Sequence, residues 1–392
     1  MKHQDIGGTG YFDHESCDLD EFKVLTSQQL EAGSAPHASA IERNVPLYDM
    51  NDLRSMLDDP DALRTIMAEW GDVLRNTSGV IVLKHAFSDV SVIDRATGVF
   101  NALIDEERNG SEGKGDHFAT SGANDRVWNA LQKHGLRDPE GFALYYGNPV
   151  IAAVCEAWLG PHYQMTAQVN QVRPGGNAQS AHRDYHLGFQ SAELAALYPA
   201  HAHEVTATLT LQGAVAHVDM PLESGPTKLL PFSQGYGPGY LAFHQQAFAD
   251  YFEKAHVQLP LEKGDAVFFN PALFHAAGAN TSADINRMGN LLQVSSAFGR
   301  AMEAIDRDAL CRSIYPALLR LKGNGLSQSA LAAAIAATAE GYAFPTNLDT
   351  DPPIGGNVPR SQADILHQAV AENWPQPQLD AALDGLIARR AA

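Results

Sequence analysis

Residues 180–190 read Ser-Ala-His-Arg-Asp-Tyr-His-Leu-Gly-Phe-Gln, which sets His182, Asp184 and His186 at intervals of two. Residues i and i+2 of an extended chain project to the same side. His182 and Asp184 can therefore offer an imidazole and a carboxylate to one ion. Two histidines and a carboxylate on one face of an octahedron are the usual protein site for non-haem Fe(II), with the opposite face open to further ligands and dioxygen. The His-x-Asp pair alone is a weak signal. The chain carries 16 histidines, and the pattern recurs at His3/Asp5 and His217/Asp219. Composition alone predicts roughly one such pair by chance. Context has to separate them, and a third ligand has to arrive from a distant strand.

His275 is the candidate for that ligand. It lies in "EKGDAVFFNPALFHAAGANTS", where a Gly-Asp turn leads into an apolar strand, then Asn270-Pro271, then the histidine, then Gly278 and Asn280. Arg287 follows, just before the strand "NLLQVSS". A guanidinium is a planar fork matched to a carboxylate. Beside a metal ligand, Arg287 would hold the far end of a dicarboxylate cosubstrate. Gln168 and Asn170 share the polar face of "YQMTAQVNQV" and are candidates to line the cosubstrate pocket; a solvent-facing strand is the competing reading.

Other chemistry-bearing residues read differently. His217/Asp219 sits between a strand and the "PLESGP" turn and is expected to be structural, and His3/Asp5 incidental. His186 can face the pocket as a substrate contact or ligand support, with simple loop packing the competing reading. His201 and His203 in "HAHE" are expected in a polar loop, because no glutamate follows at cupin spacing. Arg126, Lys133, His134 and Arg137 form a basic stretch, read as a solvated helix face rather than a phosphate subsite.

The elements that position these groups come in three blocks. Residues 61–75 place Leu63, Ile66, Met67, Trp70 and Leu74 on one helical face. A short strand "GVIVLKHAF", a helix over 89–107, a flexible loop over 109–117 and a helix over 149–160 follow, the last opened by Pro149 and closed by Gly160. Short strands then dominate, including "YQMTAQVNQV", "VTATLTLQ" (205–212), "DAVFFN" and "NLLQVSSAF". Turn signals such as Pro174-Gly175-Gly176 and Lys263-Gly264-Asp265 separate them. Many short strands between such turns indicate a jelly-roll barrel or sandwich. From about 301 the pattern is helical again, with "SQSALAAAIAATAEG" and "SQADILHQAVAEN" each opening at a serine. The expected organisation is an N-terminal arm and possible lid (1–45), a helical flank (46–165), a jelly-roll core (166–300) and a C-terminal helical extension (301–392). Residues 185–204 are a second candidate lid.

Composition bounds the partners. The net charge of −19 disfavours nucleic acid and anionic membrane surfaces. No apolar run approaches the ~20 residues of a membrane span, and the N-terminus has no apolar signal core, so a cytoplasmic protein is expected. Cys17, Cys155 and Cys311 are odd in number and far apart, which argues for reduced thiols. Oligomeric state is not legible.

Three segments together carry a family resemblance. "RPGGNAQSAHRDYH", "AVAHVDMPLESGPTKLLPFSQ" and "GDAVFFNPALFHAAGANTSADINR" are similar to the His-x-Asp, Gly-Pro corner and distal His/Arg segments of the phytanoyl-CoA dioxygenase-like Fe(II)/2-oxoglutarate oxygenases. The resemblance covers roughly 60–300. It implies an α+β protein with a double-stranded β-helix (jelly-roll, cupin-like) core. It implies iron held by His182, Asp184 and His275, and the C5 carboxylate of 2-oxoglutarate held by Arg287. It also implies O2-dependent conversion of 2-oxoglutarate to succinate and CO2, coupled to hydroxylation of an unactivated C–H bond. Two departures stand out. The arginine usually falls one residue earlier, where Asn286 stands, and "PFSQ" replaces the usual Pro-Gly-Ser-His. Asp184 disfavours halogenation, which needs that carboxylate replaced by a small residue. A small metabolite is the expected substrate. The competing readings are a non-oxidative metal hydrolase or isomerase and a non-catalytic binding protein.

Overall fold

The computed structural model describes residues 10–109, 124–344 and 347–391. His3/Asp5 and nearly all of the 109–117 loop lie outside the described residues. The strands are β1 (Ala40–Glu42), β2 (Val45–Asp49), β3 (Val80–Lys84), β4 (Asn124–Val127), β5 (Gln164–Val172), β6 (Thr210–Ala216), β7 (Lys228–Leu229), β8 (Ala266–Phe269), β9 (His275–Ala276) and β10 (Arg287–Ser295). Eight form one sheet in the order β1-β2-β3-β8-β6-β10-β5-β4, and β7 pairs with β9 in a small second sheet. Isolated bridges His182↔His275 and Leu229↔Val257 extend the small sheet, and Met220 bridges Leu261. A cavity opens between the two sheets. This is the jelly-roll arrangement, an α+β fold with helices outside the large sheet.

Strand alternation sorts residues between cavity and core. β10 sends Arg287, Gly289, Leu291 and Gln293 to the cavity. It sends Met288, Leu292 and Val294 to the other face, into the main hydrophobic core. β5 divides the same way, with Gln168 and Asn170 on the cavity and Met165, Ala167 and Val169 in the core. Antiparallel pairing of β10 with both β5 and β6 fixes which residues stand side by side. A one-residue slip would exchange the two faces.

Helices cover the outer face. Pro60–Asn76 has Asp59 capping Asp61 and Ala62 amides and a proline in its first turn, and it buries Ile66, Trp70, Val73 and Leu74. Each large apolar side chain so buried contributes about 1.5–3 kcal/mol. The C-terminal helices Arg307–Gly323, Gln328–Thr338, Gln362–Glu372 and Gln376–Arg390 place Ile314, Leu318, Leu331, Leu366 and Leu383 in the same core.

Four expectations need correction. The N-terminal segment is not simply extended. Asp18 caps the helix Leu19–Thr26, whose Phe22 is fully buried against Tyr236, Phe248 and Phe274. One aromatic in an acidic helix is too little for a periodic signal, yet it anchors the segment. Residues 205–208 are helical, not strand. The helix Ala200–Thr208 buries Ala200, His203 and Thr206 at three-residue spacing, and β6 begins only at Thr210. The Val/Thr alternation fits a strand, but Pro199 and this buried stripe select the helix. His201 and His203 thus lie on that helix rather than in a loop, with His203 Nε2 bonded to Ala195 O at 3.0 Å. The basic stretch is also dispersed. Arg126 is on β4, Lys133 and Arg137 pair with Glu107 and Glu106, and His134 is fully buried.

Candidate metal centre

His182 and His275 sit opposite one another across an antiparallel bridge. The amide of His182 donates to His275 O at 3.0 Å, and the amide of His275 donates to His182 O at 3.2 Å. The rings are 4.4 Å apart, centroid to centroid. Each imidazole is oriented from behind. His182 Nδ1 lies 2.8 Å from Ser180 O, and His275 Nδ1 lies 2.9 Å from Leu273 O. A carbonyl oxygen only accepts, so Nδ1 carries the proton in both rings and Nε2 presents its lone pair. Both Nε2 atoms turn toward the Asp184 carboxylate, at 3.8 Å from Oδ1 for His182 and 3.3 Å from Oδ2 for His275. One ligand atom from each residue lies within 4.8 Å of the others. Three electron-pair donors converging on one point need a cation, either a proton or a metal ion.

Electrostatics favour the metal-ready form. Burial and the neighbouring His275 lower the pKa of His182 against the opposing pull of Asp184, which keeps the ring neutral. Burial alone would raise Asp184, but its contacts with His275, His182 and Gln212 outweigh it and hold the carboxyl well below its usual range. Gln212 Nε2 also donates to Asp184 Oδ2.

The turn that delivers these groups is strained. Tyr185 (φ 63°) and His186 (φ 44°) are consecutive non-glycine residues at positive φ directly after Asp184, at a cost of about 1–3 kcal/mol each. Arg183, between the two ligand positions, points the other way. It is buried, donates to Ser233 O at 2.6 Å and Tyr236 O at 3.0 Å, and lies over the Tyr240 and Phe274 rings. It ties the ligand strand to the 233–240 corner. Gly239 leaves room for it, because a Cβ there would overlap the guanidinium in its present position.

The triad opens onto a cavity of about 650 Å³ that Arg287, Gln168 and Asn170 also line. Arg287 is buried, and its Nη1 donates to Ser224 O at 2.9 Å and Gly278 O at 3.0 Å. Burial alone lowers its pKa, to about 10, so it stays charged at neutral pH. No carboxylate faces it among the described residues. Gln168 bridges Arg126 Nη1 at 3.0 Å and Gln293 at 3.2 Å, and Asn170 Oδ1 is buried without a partner. His186 does not line the cavity, and its Nδ1 is buried and unpartnered. His217 is buried between Thr97 and Tyr145, each at 2.8 Å, away from the exposed Asp219, so this second His-x-Asp pair is structural. Sequence reasoning did not single out Gln212, Gln293 or Arg183. Gln212 does stand on the polar face of "VTATLTLQ", which was the available signal.

Jelly-roll topology with two histidines and an aspartate lining a cavity between the sheets defines a metal-dependent enzyme class. The profile described as phytanoyl-CoA dioxygenase (PhyH) matches residues 50–289, and the chain belongs to that family of Fe(II)/2-oxoglutarate-dependent dioxygenases. A dioxygenase, andF, of Emericella variicolor is 25% identical over 144 residues, 36% of this chain and 45% of that protein. The match thus spans less than half of that relative. Among solved structures, the chain is similar to the alpha-ketoglutarate-dependent epimerase SnoN from nogalamycin biosynthesis (20% identity, TM-score 0.39, 61% of this chain and 84% of that chain). It is also similar to the alpha-ketoglutarate-dependent carbocyclase SnoK from the same biosynthesis (20%, TM-score 0.44, 62% and 89%). The family match ends before the C-terminal helices. No helix among the described residues is long and apolar enough to cross a membrane.

Proposed function

We propose that His182, Asp184 and His275 hold Fe(II), that Arg287 receives the C5 carboxylate of 2-oxoglutarate, and that the protein hydroxylates an unactivated C–H bond of a small-molecule metabolite. The observation that carries this is the convergence of two Nε2 lone pairs and one carboxylate at the cavity where a buried, charged arginine has no acidic partner among the described residues. A buried guanidinium without a counter-ion is costly, and a bound carboxylate would remove that cost. Iron with 2-oxoglutarate and dioxygen supplies the oxidising power, with release of succinate and CO2. The chain's own part is to hold and shield. The Nδ1–H···O=C bonds fix the tautomer and aim Nε2 at the metal position, Gln168 and Asn170 present amides to the cosubstrate, and the sheets keep bulk water from the reacting carbon. Asp184 fills the position a halide would need, which favours hydroxylation over halogenation. The cavity volume lies within the usual range for small ligands.

Anaerobic addition of Fe(II) and 2-oxoglutarate is expected to give a weak visible charge-transfer band that Asp184→Ala loses, and air is expected to release succinate. Absence of both over a broad panel of small metabolites would favour a non-oxidative metal enzyme on the same barrel, which has no need of Arg287.

A further inference from the structure

The cavity face of the large sheet carries a row of amides: Gln212 on β6, Gln293 on β10 and Gln168 on β5, ending at Arg126 on β4. The two ends set the hydrogen-bond polarity. A guanidinium only donates, so Arg126 Nη1 meets the carbonyl oxygen of Gln168 at 3.0 Å. Gln168 then has its Nε2 free to donate to Gln293 Oε1, at 3.2 Å. At the other end a carboxylate only accepts, so the Gln212 atom against Asp184 Oδ2 is Nε2. The amide orientation of Gln212 follows from chemistry rather than choice.

The row is not continuous. Gln212 and Gln293 are direct cross-strand partners and are 8% and 7% exposed, yet no hydrogen bond joins them. Gln212 Oε1 is buried with no hydrogen-bond partner among the described residues. A buried amide oxygen left unpaired costs about 1–3 kcal/mol. Joining the row through Gln293 would relieve that cost, but the side chain is turned to Asp184 instead. Gln212 is thus committed to the carboxylate at the expense of its own neighbours.

We infer that Gln212 is a positioning residue that fixes the rotation of the Asp184 carboxylate, so that the side chain meets the metal in one orientation. This rests on the assignment of Asp184 as a metal ligand. Among the described residues, the other side-chain nitrogen within hydrogen-bond distance of the Asp184 carboxylate is His275 Nε2, which presents a lone pair and cannot donate when the ring is neutral. Its backbone amide donates to Pro271 O, which sets the main chain but not the carboxylate. Removing the Gln212 donor leaves the carboxylate free to turn.

The test is anaerobic titration of the full chain with Co(II), whose visible spectrum reports coordination geometry, alongside thermal unfolding of the metal-free protein. Gln212→Met keeps length and apolar volume while deleting the donor. It is expected to weaken Co(II) binding about 10–100-fold and to alter the spectrum, with the metal-free unfolding midpoint within a few degrees of the parent. Gln212→Leu is the substitute if the methionine variant does not fold. Gln293→Met, the same change on the paired strand without a contact to Asp184, is expected to leave affinity within about twofold. Parent-like affinity and spectrum in Gln212→Met, or equal weakening in both glutamine variants, overturns the inference. Asp184→Ala separates the two levels. If it keeps Co(II) affinity, the ligand assignment falls and this inference with it. If it loses affinity while Gln212→Met does not, this inference alone falls.

Discussion

His182 and His275 are held as a pair by two reciprocal backbone hydrogen bonds before any metal enters, because each donates its amide to the other's carbonyl. The bridge joins the segment that follows β5 to β9 and sets two imidazoles in register without help from their side chains. Ligand geometry in this protein is therefore a property of strand pairing.

That relationship makes the triad an all-or-none unit. Asp184→Ala, His182→Ala and His275→Ala are each expected to abolish the Fe(II)/2-oxoglutarate charge-transfer band and reduce 2-oxoglutarate-dependent succinate release by at least about 10²-fold. His217→Gln, in the other described His-x-Asp pair, is expected to lower stability but keep the band in the folded protein. Anaerobic difference spectra of the four variants check this. A band surviving in Asp184→Ala would refute the ligand set.

Arg287 is expected to separate cosubstrate binding from stability. Its guanidinium is buried and, among the described residues, bonded to two backbone carbonyls. Removing a buried guanidinium that has no counter-ion recovers its desolvation cost, which offsets the loss of its two bonds to carbonyls. Arg287→Met should leave the metal-free unfolding midpoint equal or higher while raising the KM for 2-oxoglutarate about 10²-fold or more. A large loss of stability with an unchanged KM would place Arg287 in the framework instead.

His134 governs part of the acid limb of stability. It is buried among Phe100, Phe142, Tyr145 and Tyr146, and both ring nitrogens lack partners. Burial, with a smaller contribution from Arg95, lowers its pKa to about 4 against the opposing pull of Asp138. The unfolded chain, with an ordinary histidine pKa near 6.5, binds more protons between pH ~6.5 and ~4. Stability from the neutral ring is present above 6.5 and is lost as pH falls through about 4. His134→Leu should flatten that limb and be neutral or stabilising at pH 7 by about 1 kcal/mol. Urea unfolding at pH 7 and pH 5 measures both.

Phe22 reaches the metal centre through packing. It lies 4.8 Å from Phe274, ring to ring, and Phe274 precedes His275. Tyr236, which also packs on Phe22, gives its carbonyl to Arg183. Phe22→Ala is expected to cost about 3–5 kcal/mol and to weaken metal affinity of the folded protein. Leu383→Ala, in the C-terminal helix Gln376–Arg390, is expected to cost about 2–5 kcal/mol with metal affinity unchanged. Unfolding and metal titration of both variants distinguish a local effect from a global one.

The sequence determined the ligand types and their local spacing, because i and i+2 on extended chain share a side whatever the rest of the molecule does. It determined the cavity face of β5 and β10 through period-2 alternation, and the helices whose Pro, Asp and Ser caps lie next to apolar stripes. Tertiary structure alone supplied what packs around each pair: His217, expected from its turn context to be structural, lies between Thr97 and Tyr145, while His182 lines the cavity. It also decided that residues 205–208 wind as helix, that Phe22 makes an acidic segment part of the fold, and that Gln212 turns to Asp184 rather than to Gln293. Those outcomes depend on contacts between residues far apart in the chain, and short-range pattern carries no record of which distant surface a side chain will meet.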